Sequence, residues 1–324
     1  MKPLPALLLI FALSAGVTRG DVRGKAVWID TDPSVQRGGH EVDDGFALVQ
    51  AFHSPELRIL GISVVFGNSP LHEALPIGRD IVLRSGPKDM PVQEGAAGPQ
   101  DLGKETPASR ALAAALGAEK LTVLALGPAT NIATVLKNHP ELAAKMERIV
   151  AVAGRRPGQH FLTGKAAQPF RDFNFELDSE AFQVILNSGV PLVLAPWEIS
   201  SKVWLNSADL HQLASRNPAL TWLVQPAADW LAFWKTAFGV DGFNPFDTLA
   251  VAYVVQPALL HCETLPSRID MLPNDIITGN QPVSRKPYLL AAKNIDSPQR
   301  VEYCFEALPA FKPDLMKRLT SAGK

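Results

Sequence analysis

Apolar runs rich in β-branched residues alternate with segments of helical periodicity as far as about residue 195. The extended runs predict strands at residues 26–30, 57–65, 121–125, 148–153 and 191–195. The periodic segments predict helices at residues 44–52, 71–84, 131–138 and 180–188. Strands that alternate with helices are typical of a mostly parallel sheet with helices on both faces. We therefore expect a single α/β domain with a Rossmann-like core, in which ligands bind beyond the carboxyl ends of the strands.

The pattern changes near Ala208, where the sequence becomes helical and rich in aromatic residues. Four aromatic residues recur at i, i+3, i+4 and i+8, which places them on one face of a helix. They are Trp230, Phe233, Trp234 and Phe238. The favoured interpretation is a stripe that faces the core. The alternative is a wall that stacks on a planar ligand.

The first twenty residues have the layout of a secretory signal peptide. Lys2 precedes an apolar run from Leu4 to about Val17, and Thr18-Arg19-Gly20 offers a small-x-small cleavage pattern. We expect residues 1–20 to be the signal and residues 21–324 to be the mature domain, exported to a periplasm or secreted and free of the membrane after cleavage. A buried N-terminal strand or an uncleaved anchor is the alternative.

Composition limits the classes of partner. The chain has 31 Lys plus Arg and 32 Asp plus Glu, which gives a formal net charge of -1. This balance gives no general attraction for nucleic acid or for anionic membranes. Apolar residues make up 47% of the chain and charged residues 19%, which is typical of globular proteins and excludes disorder or a coiled coil as a description of the whole.

The chain contains two cysteines, Cys262 and Cys304. Two cysteines cannot build a Cys-rich zinc site. An oxidising compartment would allow them to form a disulfide. Their spacing leaves a bridge and two separate thiols equally open.

Carboxylates collect just after the first predicted strand. Asp30 and Asp32 end the strand, and Asp43 and Asp44 follow a glycine-rich loop at the start of the next helix. An aspartate at a helix start can be explained as a cap, but that does not account for Asp30 and Asp32. Several like charges buried together are costly without a cation, and oxygen ligands suit Ca²⁺ or Mg²⁺. The sequence therefore predicts a metal site here.

A series of short motifs keeps its order from about residue 26 to residue 255. The motifs are Asp30-Thr31-Asp32-Pro33 with Asp43-Asp44, Gly67-Asn68, Pro91-Val92 with Gly95, Gly127-Pro128-Ala129-Thr130-Asn131, Asp172-Phe173-Asn174 with Asp178-Ser179-Glu180-Ala181, and Phe246-Asp247. In this order they resemble the motifs of the inosine–uridine-preferring nucleoside hydrolases. The resemblance implies the α/β fold of that family and hydrolysis of the N-glycosidic bond of ribonucleosides to ribose and free base.

The resemblance also implies a Ca²⁺ cofactor and a role for each matched residue. Asp32, Asp44, Asp247 and the backbone carbonyl of Thr130 would hold the ion. Asp32 would also be the catalytic base that takes the proton of the attacking water. The sugar would be bound by Asp43, Asn68, Asp172 and Asn174, and Phe246 would lie near the leaving base. The implied partner is a small-molecule nucleoside, and self-association into a homo-oligomer is expected by analogy.

The chain departs from the family pattern in the loop between Asp32 and Asp43. Residues 34–42 contain about seven additional residues and include Gly38-Gly39. The loop either bulges outward or covers the mouth of the site. In the second case it would bring Gln36, Arg37 or His40 near the ligand.

The remaining departures concern contacts with the substrate. Phe246 replaces a histidine that many members place near the base, Ala166 stands where an asparagine commonly contacts the sugar, and Asp172 is one methylene shorter than the usual glutamate. The aromatic region could stack on a purine, so the interpretation leans slightly toward purine nucleosides. The alternative function is a non-catalytic exported protein that binds nucleosides or ribose on the same fold.

Overall fold

A mostly parallel sheet of nine strands forms the centre of the part of the chain described by the structure, a computed structural model that covers residues 24–276 and 284–321. The predicted signal peptide lies outside these residues. The strands are β1 Lys25–Thr31, β2 Leu57–Val64, β3 Val92–Glu94, β4 Leu121–Ala125, β5 Met146–Ala151, β6 Leu162–Thr163, β7 Gln168–Pro169, β8 Leu192–Leu194, β9 Leu260–Pro273, β10 Arg285–Ala291 and β11 Arg300–Ala307. Strands β6 and β7 form a separate hairpin.

Helices cover both faces of the sheet. The helices are α1 Asp43–Phe52, α2 Leu71–Ser85, α3 Pro107–Ala118, α4 Thr130–Asn138, α5 Phe173–Leu177, α6 Ser179–Asn187, α7 Trp197–Ser200, α8 Ser207–Arg216, α9 Thr221–Phe238, α10 Phe246–Val255 and α11 Phe311–Thr320. Short 3-10 turns occur at Pro99–Asp101, Pro140–Lys145, Pro218–Leu220 and Pro257–Leu259. Along β1 the side chains alternate between the two faces, so Val27 and Ile29 join one buried cluster and Trp28 joins the other.

The strand order creates a crevice beside β1. The order across the sheet is β10-β9-β11-β8-β5-β4-β1-β2-β3. From β1 the chain first adds β2 and β3 on one side and then crosses to add β4 and β5 on the other side, with parallel pairing throughout. The carboxyl ends of β1 and β4 therefore flank a topological switch point, which is where open α/β sheets bind ligands.

The predicted fold class is confirmed, and each predicted strand and helix overlaps an observed one. The expectation of a helical C-terminal region is wrong for Leu260–Ala307, where β9, β10 and β11 extend the sheet. In β9 only Leu260, Leu265 and Ser267 are buried, and the strand pairs antiparallel with both neighbours. A half-exposed strand near a sheet edge lacks the continuous apolar run that marked the central strands.

A disulfide links two of these C-terminal strands. Cys262 on β9 lies opposite Cys304 on β11, and the two form a bridge. Of the two alternatives left by the sequence, the structure therefore shows the paired state. Within residues 24–276 and 284–321, no helix combines the length and the apolar character needed to cross a membrane.

We expect the double variant Cys262→Ala/Cys304→Ala to lose about 2–4 kcal/mol of unfolding free energy. The bridge spans 42 residues of sequence, and a covalent loop of that size restricts the unfolded chain. Denaturant titration measures the loss. A reductant should lower the midpoint of the wild-type protein and leave that of the double variant unchanged. An unchanged wild-type midpoint in reductant would contradict a stabilising bridge.

Candidate active site

A pocket of about 270 Å³ opens beyond the carboxyl ends of β1, β4 and β5. Its polar end is lined by Glu41, Asp43, Asn68, Asp172, Asn174 and Asp247. Its aromatic part is lined by Phe161, Phe170, Phe173, Trp197, Trp230, Phe233, Trp234, Phe238 and Phe246. The pocket therefore joins an acidic end to an apolar end, and its position agrees with the switch point of the sheet.

The deepest part of the acidic end is built by the end of β1 and the start of α1. The backbone N–H of Asp32 donates to Oδ1 of Asp44 at 3.1 Å, and the Thr31 hydroxyl donates to the same oxygen. The backbone N–H of Asn68 donates to Oδ2 of Asp32 at 2.8 Å. Oδ1 of Asp32 is buried and has no hydrogen-bond partner within residues 24–276 and 284–321. This oxygen is free to bind a cation or a water molecule.

Two glycines make room for the Asp32 carboxylate. A Cβ atom at Gly67 would lie 1.8 Å from Oδ2 of Asp32, and one at Gly127 would lie 2.8 Å from Oδ1. Any larger residue at either position would displace the carboxylate. This contact explains why glycine precedes Asn68 in one motif and begins the β4–α4 motif in the other.

Two helix N-termini meet at the acidic end. The N–H of Asp44 donates to Oδ1 of Asp43 at 2.9 Å, and the N–H of Asp247 at the start of α10 also donates to the Asp43 carboxylate. Helix N-termini carry partial positive charge, which favours carboxylates placed there. Asp43 and Asp247 are nevertheless almost fully buried, at 4% and 2% exposure.

Burial raises the pKa of every carboxyl group at this end. Burial raises the pKa of Asp44 to about 7, with the charge of Asp43 as the next cause. The pKa of Asp32 is also raised, first by burial and then by the charge of Asp44. For Asp247 burial is again the largest cause, and the charges that raise its pKa further belong to Asp43, Asp44, Asp32 and Glu41.

The side chains fit a hard divalent cation. They offer a concentrated set of carboxylate oxygens, of which Oδ1 of Asp32 has no partner among the described residues. Ca²⁺ and Mg²⁺ take oxygen ligands of this kind, and a bound cation would offset the mutual repulsion of the carboxylates. The predicted ligands Asp32, Asp44 and Asp247 all lie close enough to Asp43 for its charge to raise the pKa of each.

Thr130 lies fully buried at the start of α4, three residues after Gly127. Its hydroxyl donates to Oδ2 of Asp178 at 2.5 Å, while Oδ1 of Asp178 caps α6 by accepting from the N–H of Ala181. Asp178 therefore ties two helix starts together and fixes the β4–α4 turn against Asp32. The sequence placed Asp178 in a motif but gave it no role.

The predicted sugar residues Asn174 and Asp172 line the pocket and are anchored to the sheet. The amide of Asn174 donates to the carbonyls of Leu126 at 2.7 Å and Val152 at 3.2 Å. Both amide hydrogens are thereby used, so only the side-chain oxygen remains for a sugar. Asp172 accepts from the N–H of Gly154 at 2.9 Å, and burial raises its pKa to about 7.

Asp30 lies apart from the pocket in a buried network of its own. Its Oδ1 accepts from the Ser63 hydroxyl and from the Asn131 amide, which is 2.8 Å away. Trp28 donates to the Ser63 hydroxyl at 2.8 Å. Burial raises the pKa of Asp30 to about 7. Asp30 therefore joins β1 to β2 and α4 instead of facing a ligand.

The aromatic stripe serves both the core and the pocket. Trp234 belongs to the buried core, yet all four stripe residues line the pocket. Trp230 and Phe233 stack with their ring centroids 5.1 Å apart and 8° between planes. Phe233 is 45% exposed, which a purely core-facing residue would not be. The favoured interpretation of a core stripe was therefore incomplete.

Phe246 also lines the pocket, at the first position of α10, where its ring lies 6.4 Å from that of Phe170. Ala166, in contrast, is exposed in the turn of the β6–β7 hairpin and does not line the pocket. Among the residues that the structure describes, no histidine lines the pocket. The base end is thus apolar and aromatic.

The extra loop, residues 34–42, packs on α9. Arg37 pairs with Asp229, with Nε and Oδ2 at 2.5 Å, and the N–H of Gly38 donates to the same oxygen at 3.0 Å. A Cβ at Gly39 would lie 3.3 Å from Cβ of Phe233, so the loop also contacts the aromatic stripe. Of the two alternatives for the loop, the one that covers the mouth would bring Gln36, Arg37 or His40 near the ligand, and none of the three lines the pocket.

The loop instead contributes Glu41, which the sequence interpretation missed. Glu41 lines the pocket, and a carboxylate oxygen from each of Glu41, Asp43 and Asp44 lies within 4.8 Å of the others. Its place two residues before the Asp43-Asp44 pair was the available signal. That signal was weak because a glutamate before a helix is usually a solvated or capping residue.

Solved structures share the fold over nearly the whole chain. A plant nucleoside hydrolase superposes with a TM-score of 0.77 at 21% identity, covering 93% of this chain and 100% of its own. A purine-preferring ribonucleoside hydrolase from Gardnerella vaginalis gives 0.72 at 21% identity, covering 91% of this chain and 98% of its own. These likenesses confirm the fold class.

Curated relatives are similar in sequence over most of their length. Uridine nucleosidase 1 of Arabidopsis thaliana is 29% identical over 76% of this chain and 79% of its own. A pyrimidine-specific ribonucleoside hydrolase of Klebsiella pneumoniae is 30% identical over 72% of this chain and 80% of its own. The family model described as inosine-uridine preferring nucleoside hydrolase matches residues 27–302. The resemblance inferred from the ordered motifs is confirmed, and the chain belongs to the inosine–uridine-preferring nucleoside hydrolase family.

Proposed function

We propose that the protein hydrolyses the N-glycosidic bond of ribonucleosides with the help of Ca²⁺. The observation that carries the proposal is the buried carboxylate group around Asp32, just beneath the acidic end of a pocket whose other end is aromatic. Breaking this bond develops an oxocarbenium-like sugar, and a carboxylate-rich end stabilises its positive charge. The aromatic end suits a planar base.

Asp32, Asp44 and Asp247 would hold the ion, together with the backbone carbonyl of Thr130. A bound Ca²⁺ would orient a water molecule and lower its pKa. Asp32 is the residue suited to accept the proton of that water, because its buried Oδ1 has no hydrogen-bond partner among the described residues. The N–H of Asn68 holds the other oxygen of Asp32 in place at 2.8 Å.

The ribose would bind at the polar end of the pocket. Asp43 and Asn68 lie on the α1 side, and Asp172 and Asn174 lie on the opposite side at the ends of β4 and β5. Carboxylate and amide oxygens there accept hydrogen bonds from sugar hydroxyls. Two sets of acceptors on opposite sides would fix the ring between them.

The base would lie among the aromatic side chains, and we propose a preference for purines. The stacked pair Trp230 and Phe233 offers a broad face, which favours the larger ring system of a purine. Phe246 cannot donate a proton, so it gives the leaving base no general-acid assistance. The aromatic rings would hold the base by stacking, and a ring nitrogen of the leaving base would take the proton it needs from solvent.

We also propose that the protein acts outside the cytoplasm. The N-terminal sequence has the layout of a signal peptide. The Cys262–Cys304 bridge is typical of proteins from oxidising compartments. Fractionation of the producing cells with an antibody against the chain tests this part of the proposal.

Asp32→Asn should lower kcat for inosine by roughly 10²- to 10⁴-fold, because an amide cannot accept the proton of the water. Steady-state release of reducing sugar measures the change. Asp80→Asn is the matched control, since Asp80 is an exposed residue paired with Arg84 on α2. Unchanged kcat in the Asp32 variant would exclude its role as base. Tight nucleoside binding without turnover by the wild type would instead favour a binding protein.

Ca²⁺ should raise the melting temperature more at pH 8 than at pH 5. Asp44, one of the proposed ligands, has a folded pKa of about 7, above the ordinary carboxyl range. It therefore stabilises the metal-free fold below about pH 4, and that stabilisation is lost as the pH rises through 7. Deprotonated carboxylates bind the ion, so its effect grows over the same range. Thermal unfolding with Ca²⁺, Mg²⁺ or a chelator measures it. A shift of equal size at both pH values would contradict the proposed ligands.

The wild-type kcat/KM should be a few-fold to tenfold higher for inosine than for uridine, because the larger base gains more stacking contact. Phe233→Leu should reduce this ratio, and Phe305→Leu, which lies outside the pocket, should leave it unchanged. A preference for uridine would contradict the purine part of the proposal while leaving hydrolysis itself supported.

A further inference from the structure

The proposed reaction assigns no role to Glu41. It lies at the end of the extra loop, two residues before Asp43, and lines the pocket beside Asp43, Asn68 and Asp247. Asp32 and Asp44 do not line the pocket and lie deeper, each 1% exposed. Glu41 therefore belongs to the layer of polar side chains that a bound sugar would meet first.

The two carboxylate oxygens of Glu41 have different surroundings. Oε1 accepts from the backbone N–H groups of Val42 at 3.1 Å and Asp43 at 3.3 Å. Oε2 accepts a 3.3 Å bond from the side-chain amide of Asn68. The Glu41 side chain also shares a hydrogen bond with the carboxyl group of Asp43. One oxygen thus holds the side chain against the start of α1. The other lies beside Asn68, which is itself a proposed sugar ligand, and a carboxylate oxygen can accept a second hydrogen bond.

The loop holds Glu41 in this position from both sides. The hydroxyl of Ser34 donates to the backbone carbonyl of Glu41 at 2.9 Å, and Val42 is fully buried. Further along the loop, Arg37 and Gly38 bond to Asp229 on α9. These contacts place the Glu41 carboxylate against the pocket before any ligand binds, so little ordering is required on binding.

We propose that Glu41 is an additional acceptor for the vicinal 2′- and 3′-hydroxyls of the ribose and thereby strengthens selection of ribonucleosides over deoxyribonucleosides. This inference rests on the proposed function and deepens it. A vicinal diol presents two O–H donors. Asp43, the Asn68 side-chain oxygen and Oε2 of Glu41 form a group of acceptors on one side of the pocket. Sites that bind a hydroxyl in this way discriminate strongly against analogues that lack it.

The competing role for Glu41 is that of a metal ligand. One oxygen each from Glu41, Asp43 and Asp44 lies within 4.8 Å of the others, which is close enough for a shared ion. The pocket position of Glu41, its bond to Asn68 and the depth of Asp32 and Asp44 favour the sugar. The affinity for Ca²⁺ separates the two roles, since only a ligand of the ion would change it greatly.

The test compares inosine, 2′-deoxyinosine and 3′-deoxyinosine as substrates of the wild type and Glu41→Gln. The glutamine keeps an oxygen for the backbone N–H groups and replaces the pocket-facing acceptor by a donor. We expect kcat/KM for inosine to fall roughly 10- to 100-fold, as for loss of a charged hydrogen bond. The loss should be much smaller for the deoxynucleoside that lacks the hydroxyl bound by Glu41. Glu141→Gln, an exposed residue, is the control and should change none of the three values.

Equal losses on all three substrates would overturn the inference, as would unchanged activity on inosine. A Ca²⁺ affinity lowered tenfold or more in Glu41→Gln, measured by calorimetry, would overturn it in favour of the metal role. If the variant does not unfold cooperatively, the wild-type protein alone provides the test. Equal wild-type kcat/KM values for inosine and both deoxynucleosides would overturn the inference, because the site would then not select for either hydroxyl.

The proposed function can fail separately. If the wild type hydrolyses no nucleoside, calorimetric titration with D-ribose and with 2-deoxy-D-ribose and 3-deoxy-D-ribose tests Glu41 without turnover. Tighter binding of D-ribose by the wild type, and loss of that difference in Glu41→Gln, would then support the inference while the hydrolytic proposal falls. Equal binding of the three sugars by the wild type would overturn both the selection and the role of Glu41.

Discussion

The burial of several carboxylates at one point of the fold is the constraint on which the rest of this site depends. Asp32, Asp43, Asp44 and Asp247 are each at most 4% exposed, and the charges of the others raise the pKa of Asp247. Such a group is tolerated only when dipoles and donors compensate for it. Here two helix N-termini, the Thr31 hydroxyl and backbone N–H groups do so in part. The remaining imbalance is what makes a cation the natural partner of this pocket.

The topology explains why these groups meet. Strand β1 occupies the position from which the chain extends the sheet in both directions, so the ends of β1 and β4 border one crevice. Helices α1 and α10 then direct their N-termini at it from outside the sheet. Gly67 and Gly127 keep the space beside Asp32 free of side chains, so the carboxylate lies directly against the backbone. The geometry of the site therefore depends on the strand order and on the two glycines as much as on the carboxylates themselves.

The sequence predicted the local secondary structure of the central strands and helices, and its ordered motifs predicted the family. Periodicity located the central strands because they are buried on both faces, and it failed for β9–β11, which are only partly covered. It identified one face of α9 but could not tell what that face meets, and Trp234 proved to serve core and pocket together. Glu41 was missed because its role depends on how the loop folds onto α9, a contact between residues far apart in the chain.

The extra loop connects the two chemically different ends of the pocket. Its middle residues contact the aromatic helix through Arg37 and Gly39, and its last residues place Glu41 at the acidic end. A substitution that moves Phe233 would therefore also move the loop residues that hold Glu41 in place. In the same way, a sugar bound by Glu41 would affect the position of Phe233 through the loop. Because the loop is anchored at both ends, substitutions in it should alter base and sugar selection together. A loop that merely bulged into solvent would affect neither.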